Sequence, residues 1–181
     1  MIRNLDFNFE NSPTRITANR NCPEIKLAGM TLGPFEEGNE YEVYRWAASE
    51  LEKAGIAQIR EDFLDASKLN KIQWTERIQT AGQISKLPED FYPRLRRWLV
   101  QLKEEVTKNP EKMREYDRVK HLTHDVTNSR LRKIVAIASA PSQTENAFRN
   151  FTFEERYLYE QLHKLISEWR TQILECGRRS E

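Results

Sequence analysis

The stretch that decides the fold is Thr152-Phe153-Glu154-Glu155, which continues to Ile173 as RYLYEQLHKLISEWRTQI. A Thr followed three residues later by Glu is the capping-box signature of a helix N-terminus, because each side chain satisfies a free backbone amide near the other. Apolar residues then recur at helical spacing, namely Leu158, Leu162, Leu165, Ile166, Trp169 and Ile173. The stretch predicts a long amphipathic helix. Its apolar seam, led by Leu158, Leu162, Leu165 and Trp169, is expected to make core and subunit contacts.

Three more helical patterns precede this one. The first spans about 66–85 and uses Leu69, Ile72, Ile78 and Ala81, and the second carries its apolar stripe from Phe91 to Val106. The third starts at Asn109-Pro110, with Asn as N-cap and Pro at the first helical position, and runs to about Ala138. Two of the four helices are longer than the others. Part of their apolar surface therefore needs a partner chain.

The first 64 residues follow a different pattern, because four of the six glycines of the chain lie there. The glycines separate short stretches that are typical of strands, at 25–28, 41–43 and 56–59. One helix is predicted from Tyr44 to Lys53, with Gly55 as its C-terminal stop. The sequence therefore predicts an α+β fold, with a small β-rich domain over 1–62 that holds one helix and an α-helical domain over 63–181.

Composition supports this division and excludes some classes of protein. Hydrophobic residues make up 38% of the chain and charged residues 31%, with a formal net charge of +1. Residues 1–64 carry −4 and the remainder +5, which suggests two units with different partners. No apolar run approaches the roughly 18 residues of a membrane span, and the N-terminus lacks a signal-peptide pattern. The expected location is the cytoplasm.

Catalytic motifs are missing from the sequence. It contains no GxxxxGKS phosphate loop, no GxGxxG turn and no GxSxG elbow. The prediction is a protein without catalytic residues, metal or cofactor. A metal-dependent hydrolase remains an alternative, because His121 and His124 stand three apart beside Asp125, a spacing that a metal site can use. Two surface or interface histidines explain the same pattern.

Basic residues give a second alternative, a DNA-binding regulatory protein. Arg94, Arg96 and Arg97 cluster on one predicted helix, where they are candidates for phosphate contacts. Acidic residues are interleaved with the basic ones throughout, so no uncompensated basic stripe forms. A weak DNA contact within a larger assembly fits this pattern better than DNA binding as the principal activity.

Several motifs in consistent order resemble those of GINS subunits. Leu32-Gly33-Pro34-Phe35-Glu36-Glu37-Gly38, with Val43-Tyr44-Arg45-Trp46-Ala47, is similar to their small β-domain. Asp125, Arg130, Lys133 and Ile134 match the Asp-x4-Arg-x2-Lys-Ile pattern of the helical domain, and Asn150 to Glu155 resembles the start of its last helix. The chain departs from the family at Tyr44-Arg45, where Pro-Leu often precedes the Trp.

The resemblance implies a function and a set of partners. The order of domains is similar to that of the archaeal subunit related to the second and third eukaryotic subunits. Such a subunit is expected to be a non-catalytic scaffold in the cytoplasm, associated with the nucleoid. It would join a sister GINS subunit in a heterotetramer with two copies of each, and dock onto the MCM helicase and a RecJ-like replication protein. Asp125, Arg130 and Lys133 are expected to form ion pairs that fix the helix register.

Overall fold

The computed structural model describes residues 2–27, 29–60, 64–80, 82–140 and 148–175. The chain divides into two compact units, Met1–Phe63 and Leu64–Glu181. The first combines short strands with helices, and the second is helical. The predicted α+β class, with the β-rich part first, is confirmed.

The first unit is built around a three-stranded antiparallel sheet. Its elements are α1 (Ile2–Glu10), β1 (Pro13–Ala18), β2 (Ile25–Leu27), β3 (Met30–Leu32), β4 (Glu40–Tyr44), α2 (Arg45–Lys53) and β5 (Ala57–Ile59). The strand order is β4-β1-β5, with Ile16 of β1 opposite Tyr41 on one side and Ile59 on the other. Strands β2 and β3 form a separate hairpin. Four of these strands and helices coincide with the predicted ones within two residues, although Ala28 lies outside the described residues.

Strand β1, which lies at the centre of the sheet, was not predicted. Its side chains alternate, since Thr14, Ile16 and Ala18 are buried whereas Arg15 is exposed and Thr17 is half-buried. This two-residue period is the signal that could have identified the strand. Helix α1 was also missed.

Helix α2 covers one face of the sheet and ends as the sequence predicts. Ala48 and Leu51 pack with Ile16 and Phe35 in the core of the unit. The Gly55 amide donates to the Glu52 carbonyl and the Ile56 amide to the Leu51 carbonyl, which together form a Schellman motif. Gly55 has φ +67°, a conformation that favours glycine.

Among the residues that the structure describes, the elements of the second unit are four helices and a 3₁₀ turn. They are α3 (Ala66–Ile78), α4 (Phe91–Lys108), the 3₁₀ turn (Pro110–Lys112), α5 (Met113–Ser139) and α6 (Phe153–Glu175). Asn109 caps the turn, because its side-chain oxygen accepts the Glu111 amide at 3.1 Å. With 27 residues, α5 is about 40 Å long. The predicted Asn109 cap and the end near Ala138 are confirmed, although the first three residues of the predicted helix form the 3₁₀ turn.

The predicted C-terminus of α3 at Ser85 is wrong. The helix ends at Ile78, and Gln79 is extended, with φ −78° and ψ 146°. Ile84 and Leu87 are buried from the non-helical segment that follows, so this segment fills the core in place of another helical turn. Ile78, expected on the apolar face, is exposed, and Ala81 lies outside the described residues.

Two apolar clusters form the core of the helical unit. One joins α3, α4 and α5 through residues such as Leu69, Leu95 and Val119. The other joins the end of α5 to the beginning of α6 through Ile134 and Tyr159. Between these clusters lies a group of buried charged side chains.

Candidate functional site

Arg130 is the centre of this buried group. It lies on α5, it is fully buried, and its guanidinium donates to carboxylates on two other helices. Nη1 donates to Glu76 of α3 at 2.7 Å and to the Ser85 carbonyl at 3.0 Å. Nη2 donates to Glu155 Oε2 of α6 at 2.7 Å, while Nε donates to its Oε1. The Arg130–Glu155 pair is therefore bidentate, the geometry in which Arg binds a carboxylate most strongly.

Glu76 joins Arg130 to a second buried cation. Its Oε1 accepts from Arg130 and from the Ser85 hydroxyl, and its Oε2 accepts from Lys133 Nζ at 2.6 Å. Lys133 also donates to Gln79 at 3.2 Å. Two cations therefore face two carboxylates, and all four side chains are at most 5% exposed. The charges balance within the network.

Glu155 has two roles. As the third residue of α6 it completes the predicted capping box: its Oε2 accepts the Thr152 amide at 3.0 Å, and its own amide donates to Thr152 Oγ1 at 3.4 Å. Its Oε1 also accepts from the Tyr92 hydroxyl of α4 at 2.8 Å. One carboxylate therefore links α4, α5 and α6, and Glu76 adds α3.

The protonation states of this network are held by its own contacts. Burial opposes ionisation of Glu76, but hydrogen bonds from Lys133 and Ser85 and the charge of Arg130 outweigh burial and lower the pKa of this carboxyl. Burial likewise opposes the charge of Arg130, yet Glu155 raises the pKa of the guanidinium. Burial and the adjacent Glu155 raise the pKa of the Tyr92 phenol. The charged forms of Glu76 and Arg130 and the neutral form of Tyr92 are stabilised together.

This arrangement suits the positioning of helices. Each charge is directed at an opposite charge, and removal of one would leave another buried without compensation. The bonds are also directional, so they are satisfied at one helix register only. Arg130 and Lys133, which the sequence singles out, lie in the network. Asp125 lies outside it, is exposed, and accepts a hydrogen bond from Gln73 at 3.3 Å.

Glu76 and the pairing of Glu155 with Arg130 were not predicted from the sequence. A signal for Glu76 was present, because it follows Leu69 and Ile72 at spacings of three and four and so shares their apolar face. A carboxylate on such a face implies a buried cation on a neighbouring helix.

The apolar seam of α6 has two different environments. Leu158, Leu162 and Ile166 pack against the core cluster at the end of α5. Leu165, Trp169 and Ile173 are 64%, 60% and 59% exposed, and every residue from 167 to 175 is exposed. The distal half of α6 therefore presents large apolar side chains to solvent, a feature of protein interaction sites.

A family comparison identifies this bundle. The model of the GINS complex protein helical bundle domain matches residues 63–174, which is more than half of the chain. The chain belongs to the GINS family. It is accordingly a subunit of a hetero-oligomeric GINS complex and acts in DNA replication. No curated protein sequence matches the chain.

Three arginines of this GINS subunit were considered for DNA contacts, and two of them form ion pairs within the chain. Arg94 pairs with Asp90 at 2.6 Å, and Arg96 pairs with Glu154 at 3.3 Å. Arg97 is half-buried. At least two of the three cations therefore have a carboxylate partner within the chain, which reduces the charge available to phosphates.

The two histidines considered as metal ligands in this GINS subunit are on the surface. His121 and His124 are both exposed, and His124 hydrogen-bonds to Asn128 at 3.1 Å. Within the described ranges, no group of three or more His, Cys, Asp or Glu side chains could hold a metal ion. In the same ranges, no helix has the length and apolarity that crossing a bilayer requires.

Proposed function

We propose that this GINS subunit is a non-catalytic scaffold that supports the MCM replicative helicase at replication forks. The observation that carries the proposal is the matched helical bundle, whose last helix leaves half of its apolar seam exposed. The network around Arg130 contributes position rather than reactivity, since its carboxylates are neutralised by neighbouring cations. The distal half of α6 is then the surface that joins a sister GINS subunit.

The order of domains supports a finer assignment. With a small domain over 1–62 and a helical domain over 63–181, the chain corresponds to the archaeal subunit related to the second and third eukaryotic subunits. It forms a heterotetramer with two copies of each subunit, in the nucleoid region of the cytoplasm. The helicase and a RecJ-like replication protein dock on this assembly, and any DNA contact is weak.

The subunit contact can be tested by light scattering coupled to size exclusion, on the chain alone and co-expressed with the sister subunit. The expected complex has about twice the mass of the two chains together, following the closed symmetry usual for oligomers. Trp169→Asp places a charge on the exposed seam and should abolish the complex. Val100→Asp is the control, because Val100 of α4 is an apolar side chain of nearly the same exposure, at 57% against 60%. This assignment would be refuted if the chain does not bind the sister subunit. It would also be refuted if the Trp169→Asp variant still forms the complex.

Helicase support needs a separate test. The assembled complex, the Trp169→Asp chain and the sister subunit alone are each added to MCM helicase on a forked DNA substrate. Only the assembled complex should increase the rate at which the helicase unwinds the DNA. In the absence of the helicase, the complex should neither unwind DNA nor hydrolyse nucleotide. An increase from the unassembled chain would argue against a scaffold that works through the tetramer.

A further inference from the structure

A polar cleft of about 540 Å³ lies between α3 and α5, on the outer side of the buried network. Its lining includes Glu76 and Lys133, together with Gln73, Arg77, Asp125 and Arg132. The cleft is on a different helix pair from the exposed seam of α6. Its occupation would therefore be compatible with the subunit contact proposed above.

The side chains that line the cleft carry a net positive charge. Glu76 and Lys133 are neutralised within the network, whereas Asp125 accepts from the neutral Gln73 amide and keeps its negative charge, so Arg77 and Arg132 leave the cleft with a net positive charge. Arg77 and Arg132 are exposed, and neither has a carboxylate within 4.0 Å in the part of the chain that the structure describes. Arg132 donates through Nε to the Asn128 carbonyl, one turn earlier in α5. Both guanidinium groups line the same cleft, and each keeps N–H groups that can donate to a carboxylate.

An apolar surface adjoins the cleft on α3. Trp74 and Ile78 are one turn apart and are 63% and 62% exposed. Arg77 stands three residues after Trp74 and next to Ile78, so it lies between the apolar pair and the cleft. Exposed Trp and Arg side by side are the residue types that dominate the energetics of protein interfaces.

We propose that this cleft and the adjoining Trp74 and Ile78 bind a segment of another protein that carries an acidic side chain next to an apolar one. The acidic group pairs with Arg77 and Arg132, and the apolar group packs on Trp74. A nucleic acid fits less well, because Asp125 shares the cleft with the two arginines and would repel a continuous phosphate backbone. A single carboxylate adds one negative charge, whereas a phosphate backbone adds one per nucleotide, so Asp125 opposes the carboxylate less.

The test selects peptides from a random display library on the full-length chain and measures the affinity of the selected peptides by fluorescence anisotropy. Selected peptides should contain Asp or Glu beside an aromatic or aliphatic residue. Their affinity should fall at least about tenfold in the Arg77→Glu/Arg132→Glu variant and in Trp74→Ala, as expected for loss of an interface anchor. Arg114→Glu is the control, since this exposed arginine is also on α5 but about 27 Å along the helix from Arg132.

A charge reversal separates lost recognition from lost folding. Peptides with Lys in place of the acidic residue should bind the Arg77→Glu/Arg132→Glu variant better than the parent chain. The proposal is overturned if no peptide is selected, if selected peptides lack acidic residues, or if the double variant binds them unchanged. It is also overturned if a single-stranded oligonucleotide binds more tightly than the peptides and shows the same dependence on Arg77 and Arg132.

Discussion

Arg130→Met is the most informative perturbation, because it removes one charge from the buried network and retains much of the side-chain volume. Glu76 keeps Lys133 as a counter-charge. Glu155 keeps only the Tyr92 hydroxyl and the Thr152 amide, and no other cation pairs with it in the described part of the chain. Loss of one partner from a buried ion pair typically costs roughly 3–5 kcal/mol. Since Arg130 serves two carboxylates, we expect the upper part of this range, about 4–5 kcal/mol, for the free energy of unfolding.

The measurement is urea denaturation followed by far-UV circular dichroism, which reports mainly the helical unit. In a parallel thermal denaturation the same loss should decrease Tm by roughly 8–20 °C, at about 2–4 °C per kcal/mol for a chain of this length. Arg132→Met is the matched control: the same substitution, on the same helix, at an exposed side chain. It should change the free energy of unfolding by less than about 0.5 kcal/mol.

A double-mutant cycle then tests whether the cost comes from an uncompensated charge. The Arg130→Met/Glu155→Gln variant no longer has the unpaired buried carboxylate. Its decrease in the free energy of unfolding should therefore be clearly smaller than the sum of the decreases in the two single variants. Coupling of about 1–3 kcal/mol is expected for side chains in direct contact. A cost below about 1 kcal/mol for Arg130→Met, or additive single losses, would refute the account of this network.

Further predictions concern other parts of the structure. Because the pKa of Glu76 is lowered in the folded state, its ionised form contributes stability that is fully present above the ordinary glutamate pKa of about 4.3 and is lost as pH falls through the pKa of the folded state. In Glu76→Gln, the free energy of unfolding should therefore decrease less as the pH is lowered, as measured by denaturation at a series of pH values. Thr152→Ala removes the hydroxyl of the capping box and should lower the free energy of unfolding by about 1 kcal/mol in the same denaturation assay. Ile16→Ala, at a fully buried position of β1, should cost about 2–5 kcal/mol and accelerate hydrogen exchange of the β1 amides. Arg130→Ala should reduce co-purification with the sister subunit more than it reduces any DNA affinity. Equal effects on co-purification and on DNA affinity would contradict this prediction.

The helices could be predicted because their signals are local. The capping box at Thr152, the Asn109 cap and the Gly55 stop each depend on residues within one helical turn, and the structure has all three. The remaining helical pattern was predicted from the spacing of apolar residues. The order of the β-rich and helical parts followed from the change of period along the chain.

The features that sequence alone did not supply depend on residues far apart in the chain. The sequence predicts that α3 continues to Ser85, but Ile84 fills the core from a non-helical segment, where Glu76 and Arg130 bind Ser85. Strand β1 gains its central place from pairing with β4 and β5, which follow it by more than twenty residues. The pairing of Arg130 with Glu76 and Glu155 spans 54 and 25 residues. No local pattern encodes such choices.

The buried network also bears on the exposed half of α6, although it lies at the other end of that helix. Glu155 is in the first turn of α6, so its bonds to Arg130, Tyr92 and Thr152 fix where the helix begins and in which direction it leaves the bundle. A rigid helix carries that direction over the roughly 27 Å from Glu155 to Ile173. A small change in angle at the network therefore becomes a large displacement at Trp169. A loose apolar contact would tolerate such a change, whereas a bidentate pair does not. Substitutions at Arg130 should accordingly impair subunit assembly without touching the contact surface, and Trp169→Asp should impair it without changing stability.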